Sequence, residues 1–83
     1  MKLTVEISMY PLKDNYIPPI DGIIARFNSY PEIKVKTVPT CTLLTGDYDR
    51  LMEILSVEVK HCFETYGKAV YVTKLLPGME APL

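Results

Sequence analysis

The sequence has 83 residues, a formal net charge of −1 and 48% apolar residues, which is typical of one small soluble domain with a single core. Its basic residues are scattered and it has no aromatic RNA-recognition motif, so a nucleic-acid partner is not expected. No run approaches the roughly 20 apolar residues of a membrane span, and the first residues alternate instead of forming a signal peptide. We therefore expect a cytoplasmic protein without membrane insertion.

The first two predicted elements are a strand and a helix. Apolar and polar residues alternate from Leu3 to Tyr10, which predicts a half-buried strand. Pro18 and Pro19 are tolerated only in a first helical turn, so a helix is predicted from about Ile17 to Asn28. Its apolar residues follow the i, i+3, i+4, i+7 spacing of one helix face: Ile20, Ile23, Ile24 and Phe27.

Two strands follow, and we expect them to form a hairpin. Residues 33–38 alternate and carry two lysines, which favours an edge strand because charges there discourage unwanted pairing. After Pro39, residues 40–46 predict a third strand. Alternation places Cys41 and Leu43 on its core face and, on the opposite face, Thr40, Thr42 and Leu44.

The longest predicted element is a helix of about 20 residues. Asp47 is its expected N-cap and Gly67 its C-terminal stop. One apolar stripe should face the core: Leu51, Leu55, Val59, Cys62, Phe63 and Tyr66. A fourth strand, rich in β-branched residues, is predicted from Ala69 to Leu75, and residues 76–83 should form a mobile tail.

The predicted order of strand, helix, strand, strand, helix, strand is that of the ferredoxin-like split βαβ arrangement. Right-handed crossovers then place the first and third strands in the centre of a four-stranded antiparallel sheet, with both helices on one side. Residues 1–83 should form this one α+β domain. The face of the sheet that no helix covers, called the open face below, should display Glu6, Ser8, Tyr10, Thr40, Thr42, Leu44, Tyr71 and Thr73.

No catalytic or metal centre is indicated by the residue pattern. Cys41 and Cys62 form no Cys-x-x-Cys motif, so we expect reduced thiols and no zinc. His61 and Cys62 are helix neighbours that do not face each other, and a dyad of His61 with Cys41 would lack an orienting third group. The first loop has neither the glycine-rich, arginine-containing phosphate loop of acylphosphatases nor the two cysteines of metal carriers. We expect a protein that is not an enzyme and holds no cofactor.

The polar residues of the open face allow two interpretations. By composition alone, Glu6 is a solvated charge paired with a nearby lysine. The alternative is that Glu6, between Ser8 and Thr42, accepts hydrogen bonds from an amino-substituted heterocycle. Tyr10 or Tyr71 would then stack on the ring. Both interpretations stay open at the level of residue types.

Two segments stand out beside the order of elements. The first is Glu6-Ile7-Ser8-Met9-Tyr10-Pro11-Leu12, followed by Tyr16 at the entrance to the first helix. The second is Thr40-Cys41-Thr42-Leu43-Leu44-Thr45-Gly46-Asp47, which ends in Gly-Asp before the long helix. Together with the order of elements they resemble the YkoF-like family of thiamin- and hydroxymethylpyrimidine-binding domains, over nearly the whole chain.

The resemblance implies a non-enzymatic domain that binds thiamin or its hydroxymethylpyrimidine precursor, as a homodimer or homotetramer, in salvage or transport. The ligand contacts that it implies are Ser8, Tyr10, Thr40 and Thr42, with Glu6 as an addition. The family's namesake architecture carries two such domains in one chain, so a site between domains would here require a second subunit. Pro18-Pro19 also changes the entrance to the first helix. The alternative function is a structural or regulatory oligomeric subunit whose open face serves association only.

Overall fold

Four strands and two helices alternate along the 83 residues that the computed structural model describes. Their order is β1 (Lys2–Pro11), α1 (Ile17–Asn28), β2 (Lys34–Val38), β3 (Cys41–Asp47), α2 (Tyr48–Tyr66) and β4 (Ala69–Pro77). The strands form one antiparallel sheet in the order β2-β3-β1-β4, and both helices pack on the same face. The predicted ferredoxin-like fold, with β1 and β3 in the centre, is therefore confirmed.

The helix boundaries follow the signals in the sequence. Pro18 and Pro19 occupy the first turn of α1, where a missing N–H leaves no helical hydrogen bond unmade. Asp47 caps α2, since its carboxylate accepts a hydrogen bond from the Arg50 backbone N–H at 3.3 Å. Gly67 ends that helix with a φ of +93°, a left-handed conformation that glycine adopts without strain. Both predicted helices are thus confirmed.

The core lies between the sheet and the helices. Its buried apolar residues are Leu3, Val5, Ile7, Ile23, Phe27, Ile33, Leu44, Leu51, Ile54 and Cys62. On α2 the buried stripe is rotated from the predicted one, because Ile54 and Glu58 are fully buried whereas Phe63 is 57% exposed. The stripe contains a glutamate at its centre, so a pattern of apolar residues alone does not indicate it.

The two faces of β3 are the reverse of the prediction. The register pairs Val5 with Leu44 and Ile7 with Thr42, so Leu44 and Thr42 face the helices. Leu44 is fully buried there, and Thr42 is only 7% exposed. The strand contains adjacent leucines, Leu43 and Leu44, so alternation fits either phase. A shift by one residue moves every side chain to the other face.

Three further residues lie on the opposite face of the sheet from the one predicted, for a similar reason. Cys41 precedes Thr42 in β3 and therefore lies on the open face instead of in the core. In β4 the register pairs Tyr71 with Met9, so Tyr71 faces the helices, as does Thr73. The open face consists of Thr4, Glu6, Ser8 and Tyr10 of β1, Lys34, Lys36 and Val38 of β2, Cys41, Leu43 and Thr45 of β3, and Val70, Val72, Lys74 and Leu76 of β4.

Residues 78–83 pack against one end of the open face. The Thr4 hydroxyl donates a hydrogen bond to the Met79 carbonyl at 2.9 Å and accepts one from the Ala81 backbone N–H at 3.1 Å. These contacts help to leave Thr4 only 2% exposed. β4 extends to Pro77, so the C-terminal tail begins two residues later than predicted. Its expected mobility stays a prediction.

Candidate functional site

Two adjoining cavities lie where the end of β1, the turn between β2 and β3, and the start of α1 meet. The inner cavity, of about 150 Å³, lies between the sheet and α1. The outer cavity, of about 440 Å³, lies beside the N-terminus of α1. Both are lined by Ser8, Met9, Ile20, Pro39 and Thr40, and together they are called the β1–α1 site below.

One wall of the inner cavity is apolar and belongs to α1. The two prolines lie in the first turn of this helix. The i, i+3, i+4, i+7 spacing of its apolar residues places them together on the face that packs on the sheet. All four of them line the cavity: Ile20, Ile23, Ile24 and Phe27. Ile23 and Phe27 also belong to the buried core, whereas Ile20 and Ile24 are half-buried. This wall can accept the face of an aromatic ring.

The facing wall carries hydroxyl groups of the β2–β3 hairpin. Thr37 and Thr42 are paired across the hairpin, and their hydroxyl oxygens lie 3.2 Å apart. Thr40, in the turn before β3, adds a third hydroxyl. Each hydroxyl can donate one hydrogen bond and accept two, so the Thr37–Thr42 pair keeps capacity for a ligand. The inner cavity therefore combines an apolar wall with a hydrogen-bonding wall.

Two exposed tyrosines border the outer cavity. Tyr10 lies near the end of β1 and Tyr16 directly before α1, and more than half of each residue is exposed. The Ser8 hydroxyl donates a hydrogen bond to the Thr40 carbonyl at 3.0 Å, which ties β1 to the β2–β3 turn. Exposed aromatic rings beside a cavity offer faces on which planar or cationic groups can stack.

The structure brings four of the five predicted ligand residues to this site. Thr42 lines the inner cavity, Tyr10 the outer one, and Ser8 and Thr40 line both. Glu6 lines neither, because it lies on the open face with its carboxylate 3.7 Å from a lysine amine of β4. The inner cavity lies on the helix side of the sheet, whereas Ser8 and Tyr10 belong to the open face, so the site extends around the end of the sheet instead of lying wholly on the open face. The role of these residues as ligand contacts stays a prediction.

A dyad of His61 and Cys41, which the residue pattern does not indicate, has no structural basis either. His61 is exposed on α2, and Cys41 lies on the open face, on the other side of the sheet. No group of three or more His, Cys, Asp or Glu side chains is placed to hold a metal ion. Neither helix combines the length and apolar character needed to cross a membrane.

A buried charged cluster between the helices was not expected from the sequence. Glu58 accepts hydrogen bonds from the Arg26 guanidinium at 2.8 and 3.1 Å and from the Tyr30 hydroxyl at 2.5 Å. Burial acts to raise the pKa of Glu58, but the bonds from Arg26 and Tyr30 outweigh it and hold the pKa below its usual range. The signal in the sequence is a glutamate at helical spacing from Leu51 and Cys62. The cluster fixes α1, and with it the apolar wall of the inner cavity, against α2.

No protein-family model matches the chain, and no curated protein is significantly similar to it. A Streptococcus pneumoniae protein of solved structure superposes with a TM-score of 0.86 at 26% identity, over 95% of this chain and 89% of that one. A proposed thiamine biosynthesis/salvage protein from Thermotoga maritima gives 0.82 at 19% identity, over 90% and 82% of the two chains. A hypothetical protein from Methanocaldococcus jannascii gives 0.79 at 22% identity, over 96% and 84%. These structures share the ferredoxin-like fold over nearly the whole chain.

Proposed function

We propose that this domain binds thiamin or its hydroxymethylpyrimidine precursor at the β1–α1 site, without catalysing a reaction. The inner cavity is the observation that carries this proposal. Its volume is about 150 Å³. An engineered apolar cavity of about 150 Å³ in another protein binds benzene, so this volume suits one six-membered ring. The substituents of the ring would reach into the adjoining outer cavity.

The two walls of the inner cavity match the two kinds of surface on a substituted pyrimidine. The ring faces are apolar and suit Ile24 and Phe27 of α1. The ring nitrogens and the amino group need hydrogen-bond donors and acceptors, which the hydroxyls of Thr37, Thr40 and Thr42 provide. Glu6, on the open face, is no longer part of the proposed site.

Thiamin carries a second, cationic ring that hydroxymethylpyrimidine lacks. The outer cavity adjoins the inner one and is bordered by Tyr10 and Tyr16. A cation over an aromatic face gains about 0.5 to 2 kcal/mol, depending on its exposure to water. We therefore expect thiamin to bind more tightly than its precursor.

Two similarities support this ligand class. Ser8, Tyr10, Thr40 and Thr42 are the contacts that the YkoF-like resemblance implies, and all four line the site. The Thermotoga maritima protein, which has the same fold, has a proposed role in thiamine biosynthesis or salvage.

We extend the proposal to a cytoplasmic role in thiamin salvage or transport. We also propose a homodimer or homotetramer, because so small a domain gains buried area by association.

A second candidate function is association alone. Val70 and Val72 of β4 expose about half of their surface on the open face. A structural or regulatory subunit would use such apolar residues to join copies and would bind no small ligand. Ligand titration separates the two functions.

Isothermal titration with thiamin and with hydroxymethylpyrimidine tests the proposed site. Thr42→Val removes a hydroxyl at nearly constant shape. Leaving a buried polar group of the ligand unpaired costs about 1 to 3 kcal/mol, so both affinities should fall roughly 5- to 150-fold. Thr73→Val is the matched control, because Thr73 lies on β4 outside both cavities. Glu6→Gln should also leave both affinities unchanged.

The outcomes of this titration are distinct. If the wild-type protein binds neither compound at millimolar concentration, the binding proposal is rejected and association alone takes its place. If Thr42→Val and Thr73→Val bind equally well, the ligand lies outside the inner cavity. Tyr16→Leu should weaken thiamin more than hydroxymethylpyrimidine, and an equal effect on both would contradict the placement of the cationic ring.

A further inference from the structure

The two edges of the sheet differ in length and charge. β2 has five residues, two of which are lysines, and such charges discourage pairing with another strand. β4, at the other edge, has nine residues and carries Lys74 as its one charged side chain. A long apolar edge strand is a surface on which another strand can pair.

The register of β4 with β1 shows which backbone N–H and C=O groups of β4 have no hydrogen-bond partner in the sheet. Beyond the two ends of the strand, the Gly78 N–H donates to the Lys2 carbonyl and the Leu12 N–H to the Lys68 carbonyl. The backbone N–H and C=O groups of successive residues point to opposite sides of a strand, so the even-numbered residues of β4 turn these groups toward β1. The odd-numbered residues turn these groups away from the sheet: Ala69, Tyr71, Thr73 and Leu75. Pro77, which has no N–H, adds one C=O group, so four N–H and five C=O groups point to the free edge.

β4 is also uncovered on its helix side. A groove of about 670 Å³, lined mainly by apolar side chains, separates the strand from α2. Phe63 of α2 and Leu75 of β4 border it and are about half exposed. On the open face, Val70 and Val72 are exposed to a similar degree. Both faces of the same strand are therefore apolar and accessible.

We infer that β4 pairs with β4 of a second copy of this chain, antiparallel about a two-fold axis, to form a continuous eight-stranded sheet. The inference rests on the self-association proposed above and goes further by naming the surface. A second copy is the occupant because the strand is complementary to itself, as a two-fold interface requires. The two α2–β4 grooves would also meet across the axis and cover apolar surface on the helix side.

One register pairs all four residues that turn both an N–H and a C=O group outward. With Val72 on the axis, Ala69 pairs with Leu75 and Tyr71 with Thr73, so each outward residue exchanges two hydrogen bonds. Moving the axis to Tyr71 leaves Leu75 without a strand partner. Moving it to Thr73 places Pro77, which has no N–H, opposite Ala69.

The same register also avoids repulsion between charges. Lys74 lies two residues from the axis, so it faces Val70 of the other copy instead of a second lysine. No β4 residue lines the β1–α1 site, so this pairing leaves the proposed ligand site accessible. Association and ligand binding can therefore be measured separately.

Size-exclusion chromatography with light scattering at micromolar concentration tests the inference. Thr73→Pro removes one outward N–H, and proline is tolerated on an edge strand where that group faces solvent. We expect the wild type at twice the monomer mass or more, and Thr73→Pro at half the wild-type mass. Val72→Lys, which brings two lysines together on the axis, should also halve the mass. Its side chain is exposed in the single copy, so the fold should tolerate it.

Leu43→Lys is the control, because Leu43 lies on the open face of a central strand. It should keep the wild-type mass. Loss of association in Leu43→Lys with Thr73→Pro unaffected would overturn the inference in favour of stacking through the open face. Val72→Lys does not separate these two cases, because Val72 also lies on the open face. A wild-type monomer up to about 100 μM would reject self-association itself. Thiamin titration of the same samples shows separately whether the ligand proposal holds.

Discussion

Two tyrosines direct their hydroxyls into the protein, but only one of them has a hydrogen-bond partner. The Tyr30 hydroxyl donates to Glu58 at 2.5 Å. The Tyr71 hydroxyl is buried without a partner. Burial, and to a lesser degree the neighbouring Cys62 thiol, raises the pKa of Tyr71. The two hydroxyls should therefore contribute to stability in opposite ways.

We expect Tyr71→Phe to preserve the free energy of unfolding or raise it by up to about 1 kcal/mol, because it removes a buried group that has no partner. Tyr30→Phe is the comparison. It should lower the free energy of unfolding by about 1.5 to 3 kcal/mol, since it deletes a hydrogen bond to a charged group. Urea denaturation at one protein concentration measures both. An equal loss in the two variants would show that the Tyr71 hydroxyl has a partner after all.

The buried carboxylate of Glu58 should make stability depend on pH. Its pKa in the folded protein lies below the ordinary value of 4.5. Its stabilising contribution is therefore present at pH values above 4.5 and is lost as the pH falls through the lower, folded pKa. We expect Glu58→Gln to lower the Tm at pH 7, and the difference from wild type to shrink below pH 4.5.

Thermal unfolding followed by circular dichroism, from about pH 7 to about pH 3, measures this difference. Glu64→Gln is the matched control, because Glu64 lies exposed on the same helix. It should change the Tm little at any pH. A Tm difference between Glu58→Gln and wild type that stays constant over this range would show that the charge of Glu58 does not stabilise the fold.

At the scale of elements, the helices could be predicted because local residues define their ends. Pro18 has no N–H to leave unpaired in the first turn of α1, and Asp47 accepts a hydrogen bond from an N–H in the first turn of α2. Gly67 adopts a positive φ at the end of α2, which glycine does without strain. These interactions reach only a few residues along the chain. The sequence beside each helix end therefore contains the information that determines it.

The faces of β3 and β4 could not be predicted in the same way. Both strands contain two adjacent leucines, so local alternation fits either phase. Pairing with β1, which is distant in sequence, decides which residues face the helices. The observed register places Thr42 in the inner cavity and Tyr71 on the helix side, whereas the sequence predicts both on the open face. Four predicted site residues still converge, because the end of β1 and the β2–β3 turn lie beside the start of α1.

The close approach of α1 to α2 also depends on residues far apart in sequence. A Cβ atom at Gly22 would lie 2.5 Å from the Tyr66 hydroxyl oxygen, so glycine makes room for this ring. Arg26 and Glu58 join the same pair of helices. From the sequence alone, Gly22 predicts only a loss of helicity. The space that it leaves for the Tyr66 ring matters only once the two helices pack together.

For the molecule as a whole, the proposed ligand site and the proposed interface occupy different strands. The β1–α1 site uses β1, β3 and the turn before it, whereas the interface uses β4. An 83-residue domain has limited stability of its own. A ligand or a second copy that binds only the folded state adds to that stability. The two contributions should be independent if the site is complete within one copy.

A thermal-shift experiment can test that independence. Thiamin at 100 times its Kd should stabilise the fold by about 2.7 kcal/mol. In a domain of this size about 1 kcal/mol shifts the Tm by roughly 4 to 8 °C, so the expected rise is roughly 10 to 20 °C. Thr42→Val should need roughly 5 to 150 times more thiamin for the same rise. Protein concentration must be equal in all samples.

Thr73→Pro, in which we expect the pairing of β4 between copies to be lost, is the decisive sample in this experiment. Its Tm without ligand should lie below that of the wild type, because it lacks the stabilisation by a second copy. Its rise with thiamin should nevertheless match the wild-type rise, since no residue of β4 lines the β1–α1 site. A thiamin shift that disappears together with the dimer would show that a second copy completes the site. One copy would then be insufficient, and two copies would take the place of the two domains that the namesake architecture of the YkoF-like family carries in one chain.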